Sequence, residues 1–170
     1  MDELDIVLNA GKKHGVDEAL IIYTSKIDVK DSIRFKTNFG EKHDALNWVE
    51  EGYDLKPEQM RNMLREYTKA VLVIGKDGKM ALDKFWKAMQ DIEHALVINN
   101  FYKAIALVSG PCVGCSECTV KGTGKCAVPD KRRPSLEGVG IDILSTAKRF
   151  KKNIEWGSRG FYSVGLVLLE

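Results

Sequence analysis

The chain has 170 residues, 44% of them hydrophobic and 29% charged, with a formal net charge of +2 at pH 7. That length suits one domain with a real core, and that balance describes an ordinary soluble globular protein. The small net charge points to no partner, the longest apolar runs (residues 70–74 and 164–169) are far too short to span a bilayer, and the acidic start lacks the basic region and apolar run of a signal peptide, so a cytoplasmic protein away from membranes is expected.

Leu4, Val7 and Leu8, followed by Gly11 and Gly15, predict a short first helix ended by glycine. Residues 19–24 have a buried-strand pattern, and residues 29–35 alternate as a second strand. Residues 36–54 are polar and poorly periodic, with Ala45, Leu46 and Val49 forming no more than a turn of helix. Pro57 suits a first helical position, Glu58 beside it favours the helix dipole, and Met60, Met63, Leu64 and Tyr67 then share a face. Residues 70–74 form a third strand, apolar enough to be buried on both sides, with Asp77-Gly78 turning the chain after it.

Leu82, Phe85, Trp86, Met89, Ile92 and Leu96 mark a long amphipathic helix ended by Asn99-Asn100, and its aromatic and methionine stripe reads as core. Residues 102–108 form a fourth strand that delivers the chain to Gly110. Further on, Pro134-Ser135 open a short helix, and Asp142 caps another whose inner face is Ile143, Leu144, Ala147 and Phe150. Residues 161–169 close as a fifth strand. Strands alternate with helices, so the fold expected is α/β: a single-domain sandwich over residues 1–170 around one mixed sheet of about five strands.

All four cysteines lie in one segment, as Cys112, Cys115, Cys118 and Cys126, spaced C-x2-C-x2-C-x7-C. Such clustering points to a metal, and glycines 110, 114, 122 and 124 let the backbone turn its N–H groups toward sulfur. Structural zinc usually takes two separated pairs of ligands. Three uninterrupted three-residue steps instead match the ferredoxin-type run that holds three corners of a [4Fe–4S] cube, although the fourth cysteine comes seven residues on rather than three. One [4Fe–4S] cluster on these four cysteines is therefore expected, within a metal-binding loop over residues 110–131. Zinc in the same thiolates is the alternative, and disulfides or unligated thiols fit a reducing cytoplasm less well.

Between Lys121 and Lys152 nine Lys or Arg face only Asp130, Glu137 and Asp142. A four-thiolate cluster is negatively charged, and Lys125, Arg132 and Arg133 would offset it. Arg133, beside Pro134, has a guanidinium suited either to a cluster sulfur or nearby carbonyl, or to a salt bridge with Glu137. Phe150 is the one aromatic among these cations, too few for a single-strand platform, so a redox protein rather than nucleic acid is the expected partner. His14 and His94 read as helix-end or surface residues, His43 and Asp44 as solvent-facing more than substitute ligands, and Ser135 as a cap, since no G-x-S-x-G context surrounds it. The Walker, G-x-G-x-x-G, H-E-x-x-H and C-x3-C-x2-C motifs are all missing.

The run from Ser109 through Cys112, Cys115, Cys118, Gly124 and Cys126, followed by Pro129, Arg133-Pro134-Ser135-Leu136-Glu137 and Gly140-Ile141-Asp142, resembles a family of predicted metal-binding proteins of unknown function, common in anaerobic bacteria and archaea. The likeness extends from about Ile33 to the closing Gly165-Leu166-Val167-Leu168-Leu169. Members of that family often carry a second group of cysteines ending in a Cys-Pro-Pro turn, whereas residues 34–57 here contain no cysteine. Three functions fit these residues: a redox partner in electron transfer, a binding or adaptor module stapled by its metal, or an enzyme using an open iron as Lewis acid. Ligand count separates them, because only the last needs a corner of the cluster without protein sulfur.

Overall fold

The structure is a computed structural model in which residues 2–39, 55–75, 80–154 and 163–170 are described. The expectations for His43, Asp44, the helical turn at Ala45, Leu46 and Val49, and the Asp77-Gly78 turn lie outside these residues.

Helix α1 (Glu3–Lys12) starts where the Asp2 side chain accepts from Asp5 N at 2.8 Å, with Glu3 and Asp5 in its first turn complementing the helix dipole. Gly15, at φ +91°, then takes a left-handed conformation that lets the chain reverse into β1 (Val16–Tyr23). Helices α2 (Asp31–Phe39) and α3 (Pro57–Leu64, with Pro57 in its first turn) lead to β2 (Lys69–Gly75). Helix α4 (Leu82–Ile98) follows, ending at Asn99 before Asn100 turns left-handed at φ +75°, and β3 (Ile105–Val108) comes next. The remaining elements are a single turn of helix, α5 (Val120–Thr123), then α6 (Ile143–Arg149) and β4 (Val164–Leu169).

The sheet has the order β1-β2-β4-β3, and every neighbouring pair is antiparallel. The mixed sheet of about five strands is thus corrected to an antiparallel sheet of four among the described residues. Alternation of strand and helix does produce a parallel pair, β2 and β3 joined through α4, but β4 slots between them running the other way. Residues 29–35 are not a strand: Val29 makes one isolated bridge to Ile141, and α2 begins at Asp31. The fourth strand starts at Ile105 rather than 102.

Both faces of the sheet are covered, as the expected sandwich requires. Val71, Val73, Ala106, Val108, Val167 and Leu169 pack against Ile6 and Val7 of α1 and Phe85, Trp86, Met89, Ile92 and Leu96 of α4. On the other face Ala70, Leu72, Ile74, Leu107, Leu166 and Leu168 meet Met60 and Leu64 of α3, Ile143 and Ala147 of α6, and the turn carrying Leu136, Val139 and Ile141. Each large apolar side chain so buried contributes roughly 1.5–3 kcal/mol. Asp142 does cap α6, accepting from Ser145 N at 3.0 Å, but Leu144 faces outward with 39% of its surface exposed. The segment after Pro134 forms turns, not a helix. Among the described residues no helix is long and apolar enough to cross a membrane.

Candidate metal centre

The strand entering the cysteine segment and the chain leaving it run side by side. Val108 N donates to Pro134 O at 3.1 Å and Leu136 N to Val108 O at 3.0 Å, an isolated parallel bridge that covers the outer edge of β3. Two carboxylates reinforce this stem. Glu93 of α4 accepts from Ala106 N at 2.6 Å and from the Nε and Nη2 of Arg133 at 2.9 and 2.6 Å, tying β3 to the returning chain. Glu137 accepts from Ser109 Oγ at 2.5 Å and from both Gly110 N and Ser135 Oγ at 3.2 Å, tying together the two chains one step closer to the cysteines. Desolvation of its carboxyl raises the Glu137 pKa in spite of these bonds.

Helix α4 also grips the returning chain elsewhere. Trp86 Nε1 and Gln90 Nε2 both donate to Lys131 O, at 3.3 and 2.5 Å. Trp86, Gln90 and Glu93 follow one another at four- and three-residue steps, so they form a single row on one helix face. The salt bridge weighed for Arg133 forms with Glu93, not Glu137, and its Nη1 donates to Asp130 O and Arg132 O at 2.7 Å each. Ser135 has no helix to cap; its Oγ closes the turn instead, accepting from Gly138 N at 3.0 Å.

Within the loop, Cys112 and Val113 pack against the core beneath α1 and α4. Cys112, Cys118 and Cys126 are half-buried and Cys115 is exposed, and no disulfide joins any of the four. Burial pushes the Cys112 thiol up; the Gly114 N–H bond and Arg132 oppose that, while Cys115 and Cys126 add to it. Two other thiols and a guanidinium therefore lie close enough to Cys112 to act on its charge.

Cys126 is brought back toward Cys118 by a threonine. Thr119 Oγ1 donates to Lys125 O at 2.8 Å and accepts from Ala127 N at 3.0 Å, clasping both neighbours of Cys126. The single turn of α5 makes this possible: it ends at Gly124, whose φ of +71° is left-handed and whose N–H returns to Val120 O. Thr123 secures the same turn by donating to Thr119 O at 2.9 Å. Lys125 itself is exposed.

The structure thus gathers the four cysteines on one stem. Among the described residues, however, no three Cys, His, Asp or Glu side chains converge closely enough to hold a metal ion. The donor set suits a soft metal: four thiols, one already receiving a backbone N–H, with a guanidinium nearby. Holding all four on one group would require the loop to rearrange above its stem. Periodicity identifies Trp86 as core but not as an anchor of the returning chain, and for Thr119, Glu93 and Gln90 only the position of Thr119 next to Cys118 hints at a role. Of the histidines, His94 is exposed, and His14 Nε2 meets Asp91 Oδ2 at 2.9 Å between α1 and α4.

Residues 20–169 match the family described as "Predicted metal-binding protein (DUF2284)". That span contains the sheet from Leu20 onward and the whole cysteine segment with its stem. No curated protein and no solved structure matches the chain.

Proposed function

The chain belongs to this family of predicted metal-binding proteins, and we propose that its metal is one [4Fe–4S] cluster, held by Cys112, Cys115, Cys118 and Cys126 and used to exchange electrons with a partner protein. The observation that carries the reading is the Thr119 clasp. It ties both neighbours of Cys126 to the residue next to Cys118, which supports the fourth cysteine joining the run of three in spite of its long spacing. A [4Fe–4S] cluster supplies one-electron transfer at a potential set by burial, charge and hydrogen bonds to sulfur.

The protein's own residues fit that task. Gly114 presents its N–H to the Cys112 sulfur, and Arg132 places positive charge near the same thiol; both favour the anionic form. Cys112 lies toward the core, whereas Cys115 stands in solvent, where a partner has access to the site. Lys125 is exposed on the same loop and suits attraction of an acidic partner. A single zinc bound to the same thiols is the second reading. It is supported by the nearness of both Cys115 and Cys126 to Cys112, since zinc closes its structural sites with four thiolates.

The test is reduction. Anaerobically purified protein should lose its brown colour and gain a paramagnetic signal when dithionite is added. Lys125→Glu should slow reduction by an acidic redox protein at low salt, and that difference should fade as salt rises. A loaded cluster inert to dithionite would contradict the electron-transfer role.

A further inference from the structure

Resting on the reading of the four cysteines as metal ligands, we propose that Glu137 is a positioning residue for that metal. It acts by fixing the direction in which Gly110 carries the chain from β3 to Cys112.

Glu137 lies beyond the cysteine segment in sequence, in the turn that leads to α6, yet its carboxylate reaches back to the segment's first residues. Both oxygens are used: one accepts from Ser109 Oγ, the other from Gly110 N and Ser135 Oγ. Among the described residues no lysine or arginine forms an ion pair with it, so its desolvation is offset by these three donors and its own backbone N–H. A carboxylate so largely shielded from water for a purely structural purpose is an expensive choice, since an apolar group of similar shape would fill the place. What an apolar group cannot do is hold the Gly110 N–H.

That N–H matters because Gly110 is the pivot of the loop. It sits at φ +89°, a left-handed conformation that redirects the chain out of the sheet, and Cys112 follows two residues later. Cys112 is also the thiol packed against the core. Its position is therefore set from the stem, whereas Cys118 and Cys126 are set relative to each other by Thr119. Without Glu137, the Gly110 N–H would lose its acceptor and the pivot would be free to rotate. The first thiol would then no longer be aimed at the other three.

Glutamine can preserve most of this arrangement. Its Oε1 can accept from Gly110 N, and its Nε2 can donate to Ser109 Oγ, so Glu137→Gln should rescue what Glu137→Ala loses. The probe is Co²⁺ alone, titrated into reduced, metal-free protein and followed through the thiolate-to-cobalt charge-transfer band. Zn²⁺ competition gives the affinity for the second ion. Glu137→Ala is expected to bind Co²⁺ about 10–100-fold more weakly than the parent, with unchanged far-ultraviolet circular dichroism, and Glu137→Gln within a few-fold of it.

Ile22→Ala, in β1 at the far edge of the sheet, serves as the destabilised control and should leave cobalt affinity unaltered. If Glu137→Ala does not fold, Ser109→Ala removes one of the three bonds and should still weaken binding measurably. A folded Glu137→Ala, or failing that Ser109→Ala, with parental cobalt affinity overturns the positioning role. A parent protein that shows no thiolate-to-cobalt band overturns the ligand assignment itself.

Discussion

Thr119 shortens a seven-residue gap to a pair of hydrogen bonds, and its effect on the site should be separable from its bulk. Valine has nearly the same shape and neither donates nor accepts, so Thr119→Val removes the bonds to Lys125 O and Ala127 N while keeping the volume. Affinity for Zn²⁺, measured by competition with a chromophoric chelator, should fall about tenfold or more. An unchanged affinity would show that the clasp does not place Cys126. Asp91 shows a different balance. Burial alone would raise its pKa, but Lys13, Lys87 and His14 bond to its carboxylate and hold it well below the usual carboxylate range. A carboxylate with a depressed folded pKa stabilises the protein above its unfolded pKa of about 3.9, and that contribution is lost as the pH falls through the folded value. The difference in urea midpoint between parent and Asp91→Asn should therefore hold at neutral pH and shrink as the solution is acidified below about pH 4. A gap that stays constant down to pH 2 would contradict this.

The elements that could be read from sequence are those whose pattern is long and local. Helix α4 announces itself through Phe85, Trp86, Met89, Ile92 and Leu96, all of them buried as its period requires. Strand β2 is a continuous apolar run because it lies between two other strands with both faces covered. Residues 29–35 were legible only as a short alternation, and distant contacts decide their structure: Lys30 N donates to Gly140 O, and Arg34 reaches Leu55 O across α3's entry. The cysteine motif was plain, but its stem was not, because Glu93 and Glu137 reach it from separate elements. Packing between elements also reverses a local preference at Gly165. Glycine within a strand ordinarily costs about 0.5–1 kcal/mol relative to alanine, yet a Cβ there would lie 2.5 Å from Met89 Cε and 3.0 Å from Leu107 O. Gly165→Ala should thus destabilise the protein by about 1–3 kcal/mol in urea unfolding. Met89→Ala should cost less in that background than in the parent, because the two sites share one contact. A stabilising Gly165→Ala would mean that β4 and α4 are less closely packed than described.

At the scale of the whole molecule, the sheet and the cysteine segment are held by different means. The two cores on either face of the sheet are built mainly from strand and helix residues, joined on one face by Ile27 and the turn carrying Leu136, Val139 and Ile141, with Cys112 and Val113 at the margin of the other. The segment beyond them depends on the stem, the Thr119 clasp and, in our reading, the metal. Removing the metal should leave the far-ultraviolet circular dichroism nearly unchanged while amide exchange rises across residues 112–127. Global unfolding on metal removal would contradict this separation. Whether this donor set holds an iron–sulfur cluster is decided by iron and acid-labile sulfide analysis of protein purified without oxygen. About four irons and four sulfides per chain are expected; one zinc with no sulfide would contradict the cluster.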